Sequence, residues 1–218
     1  MSAPDPELRL LRRAWILPAA AAALMAGIHA LAALTGADTG RFGIEPRVFS
    51  QGWAVITAPF VHGDWEHLGA NLVPLVVLGT ALQVFYPPLA LRVALGSWLI
   101  TGVWVWAMAR PGQHIGASGV IYALAFFLFF SGVFRKDVRA MTLSLIVAFL
   151  YGSMVWGLLP AQPGVSWESH LFGALAGMLM AFAFRRQGPQ RKRYAWEDEP
   201  EESPEDEAAL WNYRKRVE

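Results

Sequence analysis

Six stretches of mostly apolar residues, each about 20 long, divide this chain at about 14–34, 68–86, 89–109, 115–134, 140–159 and 167–184. At about 1.5 Å of rise per residue, each is long enough to cross a hydrocarbon core about 30 Å thick. Of 218 residues 55% are hydrophobic and only 16% charged, and the charges gather at the ends and in short clusters. Lipid leaves backbone polar groups no water to bond, so such stretches must be helices. The expected fold is an all-α membrane bundle of six spans with a long first extracytoplasmic loop.

Lys and Arg set the orientation. With a cytoplasmic N-terminus, fifteen of the 18 basic residues fall inside, and only Arg41, Arg47 and Arg110 fall outside. This positive-inside bias places both termini in the cytoplasm. A competing reading takes residues 1–34 as a cleaved signal peptide, with Ala30-Leu31-Ala32 as the cleavage site, but the apolar stretch is long for that role. The chain has no cysteine, which excludes disulfides and thiol catalysis.

The organisation expected is a cytoplasmic N-terminus (1–13), a membrane domain (14–186) and a cytoplasmic acidic tail (187–218). The tail contains EDEPEESPEDE (197–207), which has no apolar residue to bury and is expected to be largely disordered. The first outer connection, about 35–67, contains VFSQGWAVITAPF, whose aromatic residues suggest an element lying in the membrane interface. The last, LPAQPGVS (159–166), is a hinge candidate beside span 5.

Spans 2, 4 and 6 all run inward from the outer face, and unusual polar residues open each of them. Span 2 begins HGDWEHLGAN with His62, His67 and Asn71; span 4 opens with Gly116, Ser118 and Gly119; span 6 opens with Ser169 and His170. From Ser118 to Phe134 is a descent of roughly 24 Å, which puts the hydroxyl several ångströms below the surface, at the depth of His170.

Polar groups converging in hydrocarbon are functional candidates. A serine becomes a good nucleophile when an imidazole takes its proton, and its tetrahedral intermediate needs donors for the oxyanion. His170 is the candidate base. His67 and Asn71, four apart on one helix face, can both donate beside the Ser118 amide, where the N-terminus of span 4 adds partial positive charge. Gly116 and Gly119 would leave room for a substrate backbone. Gly173 and Gly177 form a small-xxx-small face that brings span 6 close to span 4, and Tyr122 shares a helix face with Ser118 and could pack on the imidazole.

GASG with the following Tyr122, the histidine of SHLFGALAG, and HLGAN in span 2 resemble, in that order, the motifs of the rhomboid family of intramembrane serine proteases. The segment PRVFSQGWAVITAPFVH, which ends at His62, is also similar to the family, and the resemblance covers about 14–184. It implies a six-helix core of the simple bacterial type and a Ser118–His170 dyad with no acidic third member. It further implies an oxyanion site from His67, Asn71 and the Ser118 amide, with His62 supporting. The expected substrates are single-span membrane proteins cut within or near their transmembrane segment, with span 5 and its loop controlling access. No metal or cofactor is implied. The partners expected are transmembrane substrates and the lipid bilayer, with no nucleic acid, and the home expected is the bacterial plasma membrane. The sequence departs from many members in the first outer loop, where Trp53 is followed by Ala54 instead of arginine.

For each residue an ordinary explanation competes. A lone serine in a span can back-bond to its helix, and a lone histidine can be a satisfied core residue. His29 and His114 match no motif and read as structural or solvent-facing; Asp64, Glu66 and Glu168 read as helix-entrance charges. A metal site from His62, His67, His114 and His170 lacks nearby Asp or Cys ligands. Met154 and Trp156, near the outer end of span 5, are candidates for a lateral gate. A noncatalytic binder of transmembrane helices and a six-span transporter or channel are the alternative functions.

Overall fold

The computed structural model describes residues 6–161 and 164–188, together with Trp211 and Lys215. The acidic segment 197–207 lies outside the described residues, as does part of the 159–166 loop. The described chain is helical, without a named strand; one isolated antiparallel bridge joins Ile44 and His114.

A short α1 (Pro6–Arg13) turns into α2 (Ile16–Thr35), and together they supply the apolar stretch Leu11–Thr35. After the first outer loop follow α4 (Trp65–Phe85), α5 (Ala90–Met108), α6 (Ser118–Arg135), α7 (Val138–Tyr151) and α8 (Trp167–Ala183). Among the described residues, five segments are long and apolar enough to cross a membrane: Leu11–Thr35, Trp65–Phe85, Ala90–Met108, Ser118–Arg135 and Val138–Leu158. The helix α8, with 17 residues, is shorter.

Span 5 departs from the single helix expected over 140–159. It is α-helical only to Tyr151 and then tightens into a 3-10 helix over Gly152–Leu158. Glycines at 152 and 157 weaken the α-helix here, and Pro160 denies it a donor just beyond.

The centre of the bundle is α6, which packs against α4, α5, α7 and most extensively α8. Ala117, Ala123, Phe127 and Leu128 are fully enclosed, while large apolar side chains of the outer helices, such as Leu34, Leu145 and Phe149, point outward with most of their surface bare. That inversion of the soluble pattern is what a lipid solvent permits. The chain is a multi-pass integral membrane protein.

The close approach of α8 to α6 depends on glycine. A Cβ at Gly173 would run into the Gly119 backbone, and one at Gly177 into the Ala123 backbone. At the other end of this pair, Arg135 donates to Phe184 O at 2.7 Å and to Gln187 O.

The first outer loop is folded against the bundle. It contains 3-10 turns at Gly40–Phe42, Phe49–Gln51 and Ala58–Phe60 and the single turn α3 (Ala54–Thr57). Arg47 ties this loop to the end of α5. It sits at φ 65°, rare for a side chain of its size, and is held by Nη1 on Ala109 O (2.7 Å) and by its amide on Trp106 O (2.8 Å). Trp98 Nε1 donates to Val55 O at 2.9 Å, and Thr57 Oγ1 to Phe42 O at 2.8 Å.

Candidate active site

Ser118 is the first residue of α6 and is partly buried. The loop that delivers it is fixed from below. Gly116 sits at φ 98°, which favours glycine, and a Cβ there would come within 2.6 Å of His67 Nε2. The Gly116 amide donates to Ala58 O at 2.9 Å, and His114 and Ile44 exchange two backbone bonds of 2.9 Å each.

His62 lies beneath this loop, 2% exposed, and its Nε2 accepts from the Ala117 amide at 3.4 Å. Burial, with the nearby His67 adding to it, pushes its pKa down to about 4. His62 is therefore a neutral acceptor at physiological pH. The rings of His62 and His67 meet edge to face, centroids 5.0 Å apart.

His67 and Asn71 occupy the first turns of α4, whose start Asp64 caps by accepting from the His67 amide at 2.7 Å. Asn71 is buried, and its Nδ2 donates back to His67 O at 2.7 Å. One of its two N–H groups is thus used within the helix, leaving the other for a ligand.

His170 lies in the first turn of α8. Its ring stacks flat on Tyr122, with centroids 4.2 Å apart and planes 7° from parallel. Tyr122 is one turn along α6 from Ser118, so the imidazole sits on the helix face that begins with the serine. Its Nδ1 is 2.9 Å from Gly157 O in the 3-10 end of span 5. A carbonyl can only accept, so Nδ1 carries the proton and Nε2 of the neutral ring keeps its lone pair. Tyr122 Oη in turn donates to Met154 O at 2.8 Å. The Ser118 hydroxyl makes no hydrogen bond within 3.5 Å among the described residues.

Other predicted roles shift. Gly119 faces packing and not open space: a Cβ there would lie 2.9 Å from Thr101 Cγ2 and 3.0 Å from Ser169 O, so glycine is required where α5 and α8 converge on α6. Glu168 stands in the first turn of α8, as the expected helix-entrance charge, and is besides buried in an ion pair, Oε1 to Arg110 Nε at 3.2 Å. His114 is also buried, with Nδ1 2.5 Å from Ser166 Oγ and Nε2 3.0 Å from Arg110 O; Ser166 Oγ continues to Ser169 Oγ at 2.7 Å. This network braces the start of α8. His29 packs edge-on against Trp65. Among the described residues no three His, Asp or Glu side chains gather as a metal site.

The carbonyls of Gly157 and Met154 escaped sequence reasoning, because a backbone acceptor has no residue type to announce it. Pro160, three residues after Gly157, was the available signal.

Residues 50–187 match the family model described as Rhomboid domain. An uncharacterized protein of Mycobacterium tuberculosis is 33% identical over 182 residues, covering 79% of this chain and 75% of that one. Rhomboid-related protein 3 of Homo sapiens is 26% identical over 161 residues, 67% of this chain and 40% of the relative. RHOMBOID-like protein 4 of Arabidopsis thaliana is 27% identical over 156 residues, 67% of this chain and 36% of the relative. With a family model matching well over half its length, a helical bundle of the family's type and the ordered motifs on α4, α6 and α8, the chain belongs to the rhomboid family.

Proposed function

We propose that the protein is an intramembrane serine endopeptidase with six spans, residing in a bacterial plasma membrane with both termini cytoplasmic. It cuts single-span membrane proteins within or near their transmembrane segment. Ser118 Oγ attacks the scissile carbonyl as its proton passes to His170 Nε2. The developing oxyanion takes hydrogen bonds from the Ser118 amide, His67 and the second N–H of Asn71. Collapse of the tetrahedral intermediate breaks the peptide C–N bond, and the leaving amine takes the proton from His170. Water then attacks the acyl-enzyme, giving its proton to the same nitrogen; the ester C–Oγ bond breaks, His170 returns the proton to Ser118 Oγ, and the carboxylate product leaves.

The observation that carries this reading is the state of His170. Its proton is held on Nδ1 by Gly157 O, its ring is held by Tyr122, and its basic nitrogen is left for the helix that begins with Ser118. A packing histidine also satisfies one ring nitrogen; what supports the base is the second nitrogen, unbonded to any described residue on the face that begins with Ser118. The test is incubation of the purified chain in detergent with a generic type-I membrane substrate. Cleavage by the wild type and none by Ser118→Ala is expected; equal cleavage by both, or none by either, contradicts the proposal.

A further inference from the structure

Among the described residues, no acid stands behind the base of the proposed site. In a three-member serine site a buried carboxylate holds the imidazole in the tautomer that leaves Nε2 free. Here the carboxylate nearest in sequence, Glu168, is buried against Arg110, and the partner of His170 Nδ1 is Gly157 O. Resting on the protease reading, we infer that the Gly157 carbonyl is the positioning group for His170, and that the base is in its working tautomer only while the 3-10 end of span 5 is seated against α8.

Two features of the local sequence make this carbonyl available. A 3-10 helix satisfies each carbonyl with the amide three residues on. For Gly157 that residue is Pro160, which has no N–H. The next possible donor, the Ala161 amide, bonds to Leu159 O at 2.8 Å instead. Gly157 O is thus an orphan of its own helix, and the histidine satisfies it. The missing side chain at 157 matters as well, because a Cβ would press into the Tyr122 hydroxyl and lie 3.2 Å from His170 Nδ1. One residue gives up its side chain and the other its amide proton, and a backbone acceptor is presented to an imidazole.

The seat itself is latched one turn earlier by Tyr122 Oη on Met154 O. Gly157 and Met154 belong to the segment that would have to move for a substrate to pass beside span 5. Displacement removes the acceptor from Nδ1, and the ring then has no reason to keep its proton there. Admission of substrate and activation of the base are therefore successive events: the segment moves, returns over the substrate, and only then is Nε2 available.

The test is 15N NMR of the full chain, histidine-labelled, in lipid nanodiscs at neutral pH, with His170 assigned by comparison with His170→Asn. The wild type should show His170 protonated on Nδ1. Pro160→Ala adds an N–H that competes for Gly157 O without adding bulk at the site. It should give a mixture of tautomers, a kcat lower by about tenfold with KM unchanged, and fluorophosphonate labelling of Ser118 slowed by the same factor. Gly157→Ala should shift the tautomer further. A merely structural role would lower thermal stability and leave the tautomer alone. A wild-type ring protonated on Nε2, or variants that both keep the Nδ1 proton, would overturn the inference, and the wild-type spectrum decides even if a variant does not fold. Should the tautomer respond as described while Ser118 is neither labelled nor active, the protease reading falls and the positioning role stands. Cleavage with an indifferent tautomer has the opposite meaning.

Discussion

The seam between α6 and α8 and the contact between α6 and span 5 are built on opposite principles. Over half of the α6 span is buried (56%), against 17% of the most apolar 18-residue stretch within Val138–Leu158. At the seam, glycines at 173 and 177 bring backbone against backbone, and the two helices are tied again at their far ends by Arg135. Span 5 is tied to the bundle at two points. Ser144 Oγ lies 2.6 Å from Phe129 O and 3.2 Å from Leu128 O, and the Tyr122 and Gly157 bonds hold the other end. Between them lies an open apolar groove of about 240 Å³ lined by residues that include Phe126, Phe129, Phe130, Tyr151 and Met154. Without a hydrophobic drive between helices in lipid, close packing is the main cohesion available. The proposed nucleophile and base thus ride on the more closely packed part, and the proposed gate is the less closely packed one.

That contrast can be broken from either side. On the seam, Ser118→Ala should reduce cleavage on the order of 10⁴-fold or to background, measured with a quenched transmembrane substrate. Asn71→Ala should cost on the order of a hundredfold or less in kcat, since the Ser118 amide and His67 remain as donors. Gly177→Val should force α8 off Ala123 and destabilise the bundle by about 1–3 kcal/mol, seen as a lower thermal midpoint with activity lost in parallel. On the gate the sign reverses. Met154→Ala and Trp156→Ala leave the backbone acceptors in place and remove bulk, so cleavage should rise a few-fold, on the order of 0.5–1 kcal/mol of barrier. An unchanged rate in both would remove these side chains from the gate.

The smallest effect expected is on pH dependence. His62 has a folded pKa of about 4 against 6.5 for a free histidine. Between those values the unfolded chain binds a proton that the folded chain refuses, so stability declines as pH falls from 6.5 toward 4. His62→Gln keeps an acceptor for the Ala117 amide and cannot titrate there. Its thermal midpoint should fall less steeply over that window, and a slope equal to the wild type would assign the decline to other groups.

Most of the bundle was legible because lipid imposes a simple rule: long apolar stretches become helices, and polar residues inside them need a reason. The boundaries of α4, α5 and α6 follow the hydropathy within a few residues. What was not legible is set by backbone. Span 5 reads as one apolar stretch, and its change to 3-10 at Gly152 depends on which carbonyls find donors elsewhere. Composition placed Glu168 at a helix entrance, and only the fold reveals that Arg110 meets it there. The first outer loop lacks the family's Trp-Arg pair at Trp53, yet Arg47 anchors it through carbonyls 59 and 62 residues away, at Trp106 and Ala109. Gly119 looked like clearance for a substrate; its neighbours Thr101 and Ser169 make it clearance for two helices.

The most direct measurement is peptide mapping by mass spectrometry after reaction of the purified chain with a fluorophosphonate. The account predicts a single adduct on Ser118, lost in His170→Asn and retained, at a slower rate, in Asn71→Ala. An adduct on another serine, or labelling of Ser118 that persists undiminished without His170, would contradict it.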